Sequence, residues 1–132
     1  MGVPMGEVTR PKIMIIGSDE GFGYLMKRYV TECGCGALLH GCTPQALDAA
    51  GKEQPAAILL EIGQPGTSQA TIRESLQRDA STQGIPLVLC YWLEEETSTL
   101  PEGGVHLLRK PILYGDVHSV LTKVGVLPLP SG

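Results

Sequence analysis

The chain has 132 residues, of which 42% are hydrophobic and 18% charged, with a formal net charge of −4. This is enough chain for one domain with one sizeable core, and the composition fits a globular domain and argues against disorder. Lys and Arg form no cluster, which argues against a nucleic-acid or anionic-membrane surface. No apolar run reaches transmembrane length or resembles a signal peptide, so the expected compartment is the cytoplasm.

Residues 1–10 mix Gly, Pro and polar residues without periodicity and read as a flexible leader. Lys12–Ile16 is a short continuous apolar run, the pattern of a strand covered on both faces. It breaks at Gly17-Ser18-Asp19-Glu20-Gly21, a strand-to-helix turn with Ser18 and Asp19 as candidate caps. Phe22, Leu25, Met26, Tyr29, Val30 and Cys33 then recur at helical spacing, and Gly34 and Gly36 end that helix. A short strand is predicted over 37–40. Thr43-Pro44 supplies a cap and a first-turn proline for a second helix carrying Ala46, Leu47 and Ala50.

Ala57–Glu61 reads as a third buried strand that ends on a carboxylate and is broken by Pro65-Gly66. A weakly periodic helix is predicted over 67–79, then a fourth strand over 87–91 after Ile85-Pro86. Residues 93–102 are poor in apolar side chains and contain Pro101, so the helix due there is expected to be shortened or missing. A fifth strand over 105–109 leads to Lys110-Pro111. A last helix follows through Asp116, Val117, Val120, Leu121 and Val124, and residues 127–132 form a tail or linker. The domain is therefore expected over 11–126. Strands alternating with helices imply a parallel sheet with helices on both faces and a functional crevice at the carboxyl ends of the strands.

The run Leu59-Leu60-Glu61-Ile62-Gly63-Gln64-Pro65-Gly66, the pair Lys110-Pro111 and the approach Ile85-Pro86-Leu87-Val88-Leu89 resemble the response-regulator receiver domain. The likeness extends from about Lys12 to Val124. It implies the CheY-like, flavodoxin-like fold: a doubly wound five-stranded parallel sheet in the order 2-1-3-4-5. It also implies phosphorelay signalling of the two-component type.

In that family the strand-three position is a phosphoryl-accepting aspartate; here it is Glu61. The family's acidic pair falls on Gly17 and Ser18, with Asp19 one place late. Its strand-four Thr/Ser falls on Tyr91, the small residue after it on Trp92 and its aromatic switch residue on Leu107. The lysine is retained as Lys110, followed by Pro111.

These substitutions have physical consequences. Magnesium needs a near-octahedral set of oxygen ligands, and Gly17 and Ser18 supply no carboxylate. Phosphoryl transfer rests on positioning and charge neutralisation, and Glu61 is too long for the in-line attack an aspartate makes. A charge-assisted bond between Glu61 and Lys110 would leave the pocket neutral without a metal. The expectation is a pseudo-receiver without catalytic activity, metal or other cofactor. It would signal through contact with a protein such as a histidine kinase or output domain, or with a second copy as a homodimer.

Two other readings stand beside it: an atypical phospho-acceptor using Asp19 and Glu61 with magnesium, and a small-ligand or metal sensor using the aromatic residues or Cys33, Cys35 and Cys42. The cysteine spacing departs from that of zinc sites, and core or surface thiols are the plainer interpretation. Glu61–Lys110 as a purely structural pair, and Tyr91 and Trp92 as a cover for the sheet edge, are the corresponding plain interpretations of the pocket. The loop Gly17–Gly23 lacks the spacing of a phosphate-binding motif, and Ser18 has no His/Asp support in the sequence.

Overall fold

The computed structural model describes residues 10–62, 69–92 and 105–128. It contains β1 (Lys12–Ile16), α1 (Glu20–Glu32), β2 (Gly36–His40), α2 (Pro44–Glu53), β3 (Ala57–Glu61), α3 (Gln69–Arg78), β4 (Leu87–Trp92), β5 (Val105–Lys110) and α4 (Tyr114–Lys123). The strands form one parallel sheet in the order β2-β1-β3-β4-β5, the predicted topology. The shortened helix expected over 93–102 lies outside the described residues. So do the leader and the tail apart from Arg10, Leu127 and Pro128. None of the described helices is long and apolar enough to cross a membrane.

The pleat sorts the central strands into two cores, because successive side chains point to opposite faces. Ile13, Ile15, Ala57, Leu59, Val88 and Cys90 pack with Phe22, Met26 and Val30 of α1 and Val117, Val120 and Leu121 of α4. Met14, Ile16, Ile58, Leu60, Leu87 and Leu89 pack with Ala46 and Ala50 of α2 and Ile72 and Leu76 of α3. Each fully buried Leu or Ile contributes about 1.5–3 kcal/mol of transfer free energy, so these two faces fix the register of the sheet.

Helix starts follow local chemistry. Asp19 caps α1, accepting from the Phe22 N–H at 2.8 Å. Thr43 precedes α2 but its side chain makes no cap bond, leaving Pro44 to set the first turn. The last helix begins at Tyr114, two residues before the predicted apolar stripe, because the Asp116 carboxylate reaches back to the Leu113 N–H at 2.9 Å. β5 likewise runs one residue further than predicted and includes Lys110.

This architecture positions the site. Glu61 continues the parity of Ala57 and Leu59, so its side chain emerges at the carboxyl end of β3 on the α1/α4 side. Gly17 follows β1 beside it, and Lys110 ends β5 two strands away.

Candidate functional site

Glu61 is 1% exposed, one of only two polar residues among the described buried set. Both carboxylate oxygens have partners. Lys110 Nζ donates to Oε2 at 2.6 Å, and the backbone N–H of Asp19 donates to Oε1 at 3.3 Å. The Lys110 side chain is itself only 10% exposed, and its ammonium sits 5.1 Å from the centroid of the buried Phe22 ring. The pair thus combines a short charge-assisted hydrogen bond with a cation–π contact, in a place where water screens little.

Gly17 explains how a glutamate fits. A Cβ built on Gly17 would stand 2.8 Å from Glu61 Oε1, 2.9 Å from Phe22 Cδ2 and 3.1 Å from Glu61 Cβ. Distances under 3 Å force a displacement, and Phe22 is fixed in the core. The position therefore has no side chain because the Glu61 side chain and the Phe22 ring fill the space. Residues 17 and 61 act as one packing unit, which a sequence cannot display because the contact crosses from β1 to β3.

The Asp19 carboxylate accepts from the Phe22 N–H as the cap of α1, and its backbone N–H donates to Glu61. Ser18 is exposed. The β4 residue in register with Glu61 is Cys90, whose thiol is pushed far up by burial, with Lys110 pulling it down and Glu61 adding to the rise. Tyr91, the next residue, is buried and pairs in register with Arg109. Trp92 pairs through its backbone with Lys110, and its side chain lies outside the described residues. Leu107 is 43% exposed on the β5 edge. Pro111, joined to Lys110 by a cis peptide bond, borders a pocket of about 240 Å3 with Asp19, Phe22, Leu25, Met26 and Ile112.

The structure therefore brings together Gly17, the Asp19 backbone, Glu61 and Lys110, and adds Phe22 and Cys90, which sequence reasoning missed. Phe22 was visible only as a helix core residue, and Cys90 only as one thiol among four.

The residues present do not fit a magnesium ion. Among the described residues Glu61 is the one carboxylate aimed into the site and it is charge-paired to Lys110, the Asp19 carboxylate caps α1, and Gly17 has no room for a carboxylate. Among the described residues no three His, Cys, Asp or Glu side chains stand together as a metal site elsewhere.

No family model and no curated protein matches this chain. Solved structures do. A sensor protein from Polaromonas sp. JS666 superposes with a TM-score of 0.77 at 21% identity, covering 87% of this chain and 95% of its own. The chemotaxis response regulator CheY4 of Vibrio cholerae gives 0.75 at 15% identity, with 88% and 99% covered. The signal receiver domain of a signal transduction histidine kinase from Syntrophus aciditrophicus gives 0.76 at 17% identity, with 92% and 96% covered. The chain has the fold of a response-regulator receiver domain.

Within that receiver fold, the strand-end carboxylate and the strand-end lysine meet across the sheet's carboxyl edge, as β3 and β5 require. At this edge the buried Glu61 carboxylate and the Lys110 ammonium offset each other's charge. Pairing offsets a desolvation cost of several kcal/mol per ion, so the two groups stay together or both suffer.

Proposed function

We propose that this chain is a two-component-type signalling module in which a fixed Glu61–Lys110 pair replaces the phospho-acceptor site, and which acts by protein contact. The observation that carries this reading is the buried 2.6 Å ion pair beside a Gly17 that admits no side chain. A carboxylate held at both oxygens and charge-paired to a lysine is a constrained nucleophile, and among the described residues no cluster of metal-ligating side chains stands beside it to neutralise a phosphoryl group. The reading that uses Asp19 as an acid of the site has the α1 cap against it.

The partner face we assign lies where α1 meets α4. Leu113 is 62% exposed and Tyr114 38%, next to the half-buried Leu25 and Tyr29, whose ring meets Tyr114 edge-on at 6.1 Å. An apolar and aromatic patch of this kind suits a helix of a signalling partner, a histidine kinase or an output domain.

The test is a titration with magnesium, then with magnesium and beryllofluoride, followed by amide chemical shifts of Gly17, Asp19 and Glu61. The expected outcome is no saturable change. A saturable, magnesium-dependent shift at those residues sinks the proposal.

A further inference from the structure

The two edges of the sheet are protected differently. β5 carries His106, Arg109 and Lys110 and is followed by Pro111, the charges and proline that discourage edge pairing. β2 reads Gly36-Ala37-Leu38-Leu39-His40, with no Lys, Arg, Asp, Glu or Pro, and among the described residues it pairs with β1 alone. The Gly36 N–H donates to Pro11 and the His40 carbonyl accepts from Gly17, so these two residues face β1. Backbone groups alternate along a strand, which turns the N–H and C=O of Ala37 and Leu39 outward.

Apolar side chains accompany this edge. Leu39 is 47% exposed and Tyr24 of α1 is 70% exposed. Gly23 brings α1 close to the strand, since a Cβ there would lie 3.5 Å from Leu39 Cδ2. Glu20, Tyr24, Lys27, Leu39 and His40 line the outer side of a groove of about 360 Å3 that continues inward to Gly17 and Ser18 at the carboxyl end of the sheet.

We infer that β2 is a self-association edge, whose occupant is a second copy of this chain paired antiparallel through β2. The same strand laid antiparallel against itself is two-fold symmetric and needs only one patch. That symmetry sets the two α1 helices side by side in opposite directions. The Glu20 and Tyr24 end of one then approaches the Lys27 end of the other, so charge and ring meet an ammonium on both sides. A foreign strand would need its own matching charges; a second copy supplies them. This interface is separate from the α1/α4 face assigned above.

Sedimentation velocity of the full chain from micromolar to millimolar concentration tests the inference, with hydrogen exchange read at single amides. The wild type is expected to dimerise with rising concentration, and the Ala37 and Leu39 amides to gain protection as it does. Ala37→Pro removes an outward N–H while sparing the β1 ladder. That variant and Tyr24→Glu/Leu39→Lys should each weaken association by about tenfold or more. Leu113→Lys, on the other face, should leave association unchanged. A monomer at every concentration overturns the inference, and so does a dimer whose Ala37 and Leu39 amides exchange at the monomer rate. Should an edge variant fail to fold, the wild-type exchange data alone decide. Loss of association in Leu113→Lys with none in the edge variants also overturns it.

Discussion

Glu61 is one methylene longer than an aspartate, and that length carries its carboxylate to Lys110 Nζ and to the Asp19 N–H at once. Removing one partner leaves a buried, uncompensated charge, so Lys110→Met should destabilise the chain by about 3–5 kcal/mol. Glu61→Gln/Lys110→Met, which removes both charges, should recover much of that loss in urea unfolding. A loss in the double variant equal to the sum of the Lys110→Met and Glu61→Gln losses would show that the pair is not coupled. Gly17→Ala places a methyl against Glu61 and Phe22 and should cost roughly 1–3 kcal/mol. The cost should shrink in a Glu61→Asp background, where the carboxylate withdraws; an unchanged cost would mean that Phe22 alone sets the limit.

At the level of elements, α1 joins the site to the fold, since its N-terminal residue both caps the helix and meets Glu61. Asp19→Ala should cost about 0.5–2 kcal/mol, whereas Asp19→Asn, which caps as well, should be near neutral in a thermal melt. A large loss in Asp19→Asn would show that the charge itself matters. The elements were legible because their apolar spacing matched their geometry: α1 by its 22-25-26-29-30-33 stripe, β1 and β3 by unbroken apolar runs. The start of α4 was less legible, because Asp116 caps from inside the helix through a backward hydrogen bond. In the site, Glu61 and Lys110 could be picked out as charges ending apolar strands. Gly17, Phe22 and Cys90 could not, because their roles arise from register between strands and from the height of α1 above the sheet, neither of which is a local property.

Across the whole molecule, weakly acidic thiol and phenol groups set a pH limit on the alkaline side. Burial pushes the Cys33, Cys35 and Cys90 thiols up from their ordinary value near 9.0, and hydrogen bonding to Cys33 raises Tyr114. A raised value means the folded state holds its proton longer, so this stability is complete below about pH 9 and is lost as pH climbs beyond it. Urea midpoints should therefore fall above pH 9, and Cys90→Ala should flatten that decline; an identical slope in the variant would remove Cys90 as a cause. The receiver fold holds the Glu61–Lys110 ion pair at the end of β3, where we propose that no phosphoryl group is accepted. The most direct test of that proposal is the intact mass of the protein after incubation with a small-molecule phosphodonor and magnesium. We expect an unchanged mass; a magnesium-dependent gain of one phosphoryl group, abolished by Glu61→Gln, would contradict the proposed loss of phosphorylation.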